Sequence, residues 1–131
     1  MITGIVTTDY EAIIRLRVQG LGGYEREVDA TIDTGFNGFL TLPPFLIAAL
    51  GLARLSRGRA LLANGSEELF DIYAVTVLWD GQERHVEVDA VNATPLVGMS
   101  LLAGHDLHIQ VAEGGQVAIQ PSEQSARSQP Y

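Results

Sequence analysis

Cysteine is absent from this chain, which removes disulfides, thiolate nucleophiles and cysteine-based zinc or iron–sulfur sites together. Any chemistry belongs to oxygen and nitrogen groups. Basic residues are scarce, with Lys plus Arg numbering 8 against 16 Asp plus Glu, a formal charge of −8. A protein that coats phosphates would work against such a field, so nucleic acid is not an expected partner. No apolar run is long enough to cross a bilayer, and the N-terminal stretch 1–10 lacks the basic flank and apolar centre of a signal peptide. The expectation is a cytoplasmic protein with no membrane partner. A length of 131 residues leaves room for one domain, and a composition 47% hydrophobic and 18% charged suffices for one core.

What is present is a succession of short strand signals. In the run 12–18, Ile14, Leu16 and Val18 alternate with Arg15 and Arg17, the period of a half-buried strand. Gly20-Leu21-Gly22-Gly23 turns the chain, and in 25–32 Val28, Ala30 and Ile32 alternate with Glu27, Asp29 and Thr31, completing a hairpin that points at Asp33. A short apolar run at 40–42 precedes one helix over 45–50, with Pro43-Pro44 suited to its first turn and Gly51 to its C-terminal cap. Strands at 57–63 and 67–79 flank Asn64-Gly65, a dipeptide that predicts positive φ at both central residues of a tight turn. Asp80-Gly81 predicts a second hairpin, whose returning strand sets Val86, Val88 and Ala90 against His85, Glu87 and Asp89. Leu96-Val97-Gly98 is short and apolar, 99–103 predicts one helical turn, and 107–111 pairs with 117–119 across Glu113-Gly114-Gly115. The expected architecture is all-β, a barrel or sandwich with one or two short helices, over 1–120. The polar segment 121–131 is expected to be a mobile tail.

The strongest local signal is Asp33-Thr34-Gly35, an ionisable group held at a strand end beside a glycine that lets another backbone approach. The three are also ordinary turn residues, so the triplet gains meaning from its context. Far downstream, Leu96-Val97-Gly98 runs into Met99-Ser100-Leu101-Leu102 at a helical turn, with the Asn64-Gly65 hairpin between the two motifs. Over roughly 12–119 this order of parts resembles the retropepsin-like aspartic proteases, single-domain relatives of the retroviral proteases, in a bacterial-type form. The resemblance implies a closed acid-protease-like barrel with one lobe per chain, completed as a homodimer, and an aspartic endopeptidase activity without a cofactor or metal. It implies that Asp33 is the catalytic aspartate, that the Thr34 hydroxyl interlocks with the opposite subunit, and that the Gly35 amide hydrogen-bonds the carboxylates. It further implies that Leu96, Val97 and Gly98 thread beside the catalytic loop and hold it, and that a substrate-covering flap falls at Ala63, Asn64, Gly65 and Ser66. Phe36 stands where the family commonly has a small residue, and is expected to crowd a substrate subsite or pack into the core.

Peptide hydrolysis by this route needs two carboxylates that share one proton, and the chain has one Asp-Thr-Gly. The reading therefore requires a homodimer whose two-fold axis passes between two copies of Asp33, acting on a peptide or protein substrate. The alternative is a non-catalytic homodimeric module that receives an extended peptide in the same groove. Other constellations are weaker. His85, His105 and His108 have no metal-ligand spacing and read as solvent-facing or loop-stabilising groups. Gly98-Met99-Ser100-Leu101-Leu102 is not a nucleophile elbow, and Ser100 reads as a helix cap. Gly20-Leu21-Gly22-Gly23 lacks the following helix and lysine of a phosphate loop. Asn92-Ala93-Thr94 spells a glycosylation pattern, yet with no secretory route in view it reads as a loop.

Overall fold

Side chains along a strand point alternately to opposite faces, and the burial observed here follows that period. The computed structural model describes residues 1–123. Strands β1 (Ile2–Val6), β2 (Ala12–Gln19) and β3 (Glu25–Ile32) form an antiparallel meander. In β2, Ala12, Ile14, Leu16 and Val18 are buried while Arg15 and Arg17 face out, where they pair with Asp29 and Glu27 of β3, each at 3.0 Å. These exposed pairs contribute about 0.2–1 kcal/mol apiece, so the buried face decides the register.

Next come β4 (Leu40–Leu42), helix α1 (Pro44–Leu50), β5 (Ala53–Leu61), β6 (Glu67–Trp79) and β7 (Gln82–Ala90). Helix α1 starts on Pro44 and stops at Gly51, which takes the left-handed conformation at φ 63° and returns its N–H to Ala48 O, as the sequence predicts. The β6–β7 turn has positive φ at both Asp80 (51°) and Gly81 (81°). The β5–β6 turn differs from expectation. Only Gly65 (φ 86°) is left-handed there, and Gly65 N–H closes on Leu62 O, so the loop is one residue longer than the tight two-residue turn. The remaining elements are β8 (Leu96–Val97), helix α2 (Met99–Leu102), β9 (His105–Ile109) and β10 (Gln116–Pro121).

All ten strands join one sheet in the order β5-β6-β7-β4-β8-β3-β2-β1-β10-β9, and β6 also pairs with β2 through Arg17↔Leu78, Val18↔Val77 and Gln19↔Thr76. The strand order thus returns on itself between β6 and β2. Inside lie Ile14, Val18, Leu40, Leu42, Leu50, Val77, Val88, Val97 and Leu101, none more than 1% exposed. The architecture is mostly β with short helices, as the closely spaced strand signals predict. Three stretches depart from the sequence reading, one of them β9, which runs 105–109 rather than 107–111. β1 was not anticipated, because its inward face is interrupted by Gly4 and Ile5 on its other face is exposed. Gly4 lets β2 approach, since a Cβ there would lie 2.1 Å from Ile13 O. β5 begins at Ala53 rather than 57, with an irregular register between Arg54 and Ser56.

Most of the expected 121–131 tail lies outside the described residues. At its start, Pro121 closes β10 opposite His105, and Ser122 N–H donates to Gly104 O at 3.0 Å. Among the described residues no helix is long and apolar enough to cross a membrane.

Candidate functional site

The site begins where β3 ends. β3 and β8 run parallel, with Ile32 opposite Val97, and the next residue, Asp33, donates its N–H to Val97 O at 2.9 Å. The chain then turns sharply, Phe36 N–H closing on Asp33 O at 3.1 Å, while Gly35 N–H donates to Asp33 Oδ1 at 2.9 Å. Small residues and a side-chain acceptor make this turn locally favourable. Asp33 is half-buried, and among the described residues its Oδ2 has no hydrogen-bond partner.

The loop after Asp33 is stitched to the segment that follows β8. Gly98 N–H donates to Phe39 O (3.0 Å), Met99 N–H to Phe36 O (2.8 Å) and Ser100 N–H to Gly38 O (3.1 Å). Ser100 Oγ donates to Asn37 O. Ser100 is therefore not the helix cap it was expected to be; Gly98 occupies the N-cap position of α2 without a side-chain cap, and the Ser100 hydroxyl ties down the loop instead. Gly98 is sterically required. A Cβ there would lie 2.2 Å from Gly38 O and 2.8 Å from Phe36 O. The Phe36 ring covers both glycines, its edge within 2.6 Å of where a Cβ would sit on Gly38 or Gly98. Leu96 N–H is held from the other side by Thr41 Oγ1 at 2.9 Å, and Thr41 is the buried polar residue of β4.

Above this platform opens a cleft of about 820 Å³. Its floor is Asp33, Gly35, Phe36, Asn37 and Leu96, and its facing side is the β5–β6 hairpin through Arg59, Ala60, Leu61, Glu68, Leu69 and Phe70. Gly58 admits the Phe70 ring, for a Cβ at Gly58 would meet Phe70 Cζ at 2.5 Å. Ala63, Asn64, Gly65 and Ser66 form the exposed tip of that hairpin, pinned by Asn64 Oδ1 accepting from Ser66 N–H (3.0 Å) and Oγ–H (2.6 Å). The tip itself does not line the cleft; the two strands beneath it do. Thr34 does not line it either. That residue is exposed beside a separate hollow with Tyr10, Ile32, Ile109 and Val111. Val97 is buried and acts by its backbone.

Sequence reasoning missed Asp89. Alternation along β7 puts it with His85 and Glu87 on the polar side, yet β4 lies alongside β7 with Thr41 opposite Asp89, and this brings the carboxyl to the cleft wall. Burial pushes the Asp89 pKa up, and repulsion from Glu87 adds to it. Glu68 also borders the cleft, whereas Glu67 meets Arg59 at 3.7 Å.

The histidines lie elsewhere. His105 Nε2 accepts from Trp79 Nε1–H at 3.1 Å and its Nδ1 faces Ala103 O at 3.0 Å, which selects the neutral tautomer protonated at Nδ1. His85 Nδ1 is bonded to Thr76 Oγ1 at 2.9 Å, and His108 is exposed on β9. Among the described residues no group of three or more His, Cys, Asp or Glu side chains is disposed to hold a metal.

No protein-family model matches this chain, and no curated protein matches it significantly. Among solved structures it is similar to a retropepsin-like aspartic protease from Rickettsia conorii, at 16% sequence identity and a TM-score of 0.57, over 92% of this chain and 90% of that one. The likeness establishes a common fold.

Proposed function

We propose that the chain is one subunit of a homodimeric aspartic endopeptidase, in which Asp33 and its symmetry mate activate water against a peptide bond. The observation that carries the reading is the setting of Asp33: a half-buried carboxyl on the floor of a cleft, with Oδ1 held by the Gly35 amide and Oδ2 unpartnered among the described residues. The fold shared with a retropepsin-like aspartic protease supports it, and the closed barrel expected from sequence is supported by the β2–β6 pairing.

The mechanism follows from charge. Two carboxylates brought together across a two-fold axis cannot both ionise cheaply, so the pair keeps one proton. The ionised member takes a proton from water as the water oxygen attacks the carbonyl carbon and the protonated member gives its proton to the carbonyl oxygen. The C–N bond then breaks as one carboxyl protonates the leaving nitrogen and the other recovers a hydroxyl proton. The Gly35 N–H, donating to Asp33 Oδ1, orients the carboxyl. Thr34, exposed and with its hydroxyl unpartnered among the described residues, is the group suited to cross to the other subunit. Leu96, Val97 and Gly98 hold the loop from behind, and the β5–β6 hairpin covers the substrate.

Asp33→Asn removes the titrating pair without changing shape. Digestion of an unbiased peptide mixture, read by mass spectrometry, should fall by at least about a thousandfold in this variant, with the folding transition and the mass in solution unchanged. Wild-type activity should peak at mildly acidic pH. A variant that cuts at the normal rate, or full activity from particles of single-chain mass, overturns the reading.

One observation favours the non-catalytic binding module as second reading: the Phe36 ring occupies the floor of the cleft beside Asp33. An uncleavable, hydroxyl-bearing peptide analogue discriminates the two. It raises the melting temperature more than the plain peptide does if the site is built for a tetrahedral intermediate, and equally if it only binds.

A further inference from the structure

Asp89 is the residue the cleft leaves unexplained. It stands on β7, three strands from Asp33 in the order β7-β4-β8-β3, and shares the same cleft wall with Ala90, Val91 and Asn92. Its carboxyl is half-buried, and among the described residues it has neither a hydrogen-bond nor an ion-pair partner. A half-buried carboxyl on the cleft wall with no partner in the described chain is available to a cationic group lying in the cleft. The sole cation bordering the cleft among the described residues is Arg59, which stands 3.7 Å from Glu67 in an exposed pair and forms no ion pair with Asp89. Among the described residues no group neutralises Asp89.

We infer that Asp89 is a specificity-determining residue, selecting an extended peptide that carries a lysine or arginine side chain several residues from the bond to be cut. The inference rests on the endopeptidase reading for its register and on the geometry of β7 for its charge. Neighbouring strands are spaced by about 4.8 Å, so Asp89 lies at most about 14 Å from the end of β3, measured around a sheet that closes between β6 and β2. An extended peptide advances about 3.3 Å per residue, which places the cationic residue within roughly four positions of the scissile bond. A two-fold axis at Asp33 repeats Asp89 on the other side, so the preference appears symmetrically about the cut. The overall charge of −8 attracts any cation, but that field acts alike at every position, whereas a paired carboxyl acts at one position on each side of the cut.

The test uses octapeptides of Ser, Ala and Val carrying a single Lys, Gln or Glu at each position in turn, assayed on the full chain. Wild-type protein should cut the Lys series with kcat/KM about tenfold above the Gln series at the favoured position, and the Glu series more slowly still. Asp89→Asn should bring the Lys-to-Gln ratio close to one, and Asp89→Lys should invert the order toward Glu; melting curves report whether each variant is folded. The same octapeptides are then titrated against Asp33→Asn, with and without Asp89→Asn, by fluorescence anisotropy. Cleavage without a cation preference, or a preference equal at all positions and unmoved by Asp89→Asn, overturns the assignment of Asp89. Absence of cleavage together with tighter, Asp89-dependent binding of the Lys series overturns the endopeptidase and leaves the assignment standing. Neither cleavage nor charge-selective binding overturns both.

Discussion

At the scale of the residue, an unsatisfied group is more informative than a satisfied one. Asp33 has its Oδ1 held by an amide and its Oδ2 unpartnered among the described residues, while Asp89 is partly desolvated with no partner among them. The Asp89 shift has a thermodynamic sign. Its folded-state pKa is above the unfolded value, so the native chain holds the proton more tightly, which favours folding below the unfolded value of about 3.9. That advantage is lost as pH rises through the folded pKa, and above it the ionised carboxyl opposes folding. Asp89→Asn should accordingly raise the melting temperature at pH 7, with the gain shrinking toward zero well below the unfolded value, at about pH 2, where the carboxyl is neutral in both states. Thermal melts at the two pH values decide it, and a lower melting temperature at pH 7 would mean that the carboxylate has a stabilising partner after all. Of these two residues, Asp33 was legible in the sequence because its turn is local. Asp89 was not, since alternation along β7 assigns it a polar face without saying what lies over that face.

At the scale of the element, β8 and α2 are too short to persist alone, at two and four residues, and are held by the loop they hold in return. Replacing Gly98 by alanine drives a methyl group into Gly38 O and Phe36 O, and the backbone on both sides must move. The expected loss is about 1–3 kcal/mol in urea denaturation, with a larger fall in peptide cleavage because Asp33 sits in the displaced loop. Gly51→Ala is the control. Nothing lies within 4 Å of its added Cβ, but φ is 63°, so the penalty is conformational, about 1–2 kcal/mol, and cleavage by the surviving folded protein should be unchanged. Equal effects of both substitutions on cleavage would remove the special role of Gly98. The hairpins were legible at this scale because turn chemistry is local, as Asp80-Gly81 demonstrates. Asn64-Gly65 was read one residue too tight, and β1 was missed because Gly4 interrupts its inward face and an exposed Ile5 obscures the alternation.

At the scale of the molecule, folding must close the β2–β6 pairing and insert β8 between β3 and β4, contacts between segments far apart in sequence. Such non-local pairing places folding in the millisecond-to-second range typical of β topologies. A further consequence concerns assembly. If the cutting unit is a pair of chains, specific activity should fall on dilution as dimers dissociate, in parallel with the mass measured by light scattering; activity per chain that stays constant down to the monomer removes the dyad. The sequence by itself determined most of the strands and their inward faces, the stop of α1 and the position of Asp33 at a strand end, because periodicity and turn preference act over a few neighbouring residues. Only the tertiary structure decided which distant strands lie side by side, and so which residues share the cleft with Asp33. A strand encodes the face it buries, but its partner is chosen by the packing of the whole core, and Asp89 is brought to the cleft wall by β4 lying against β7.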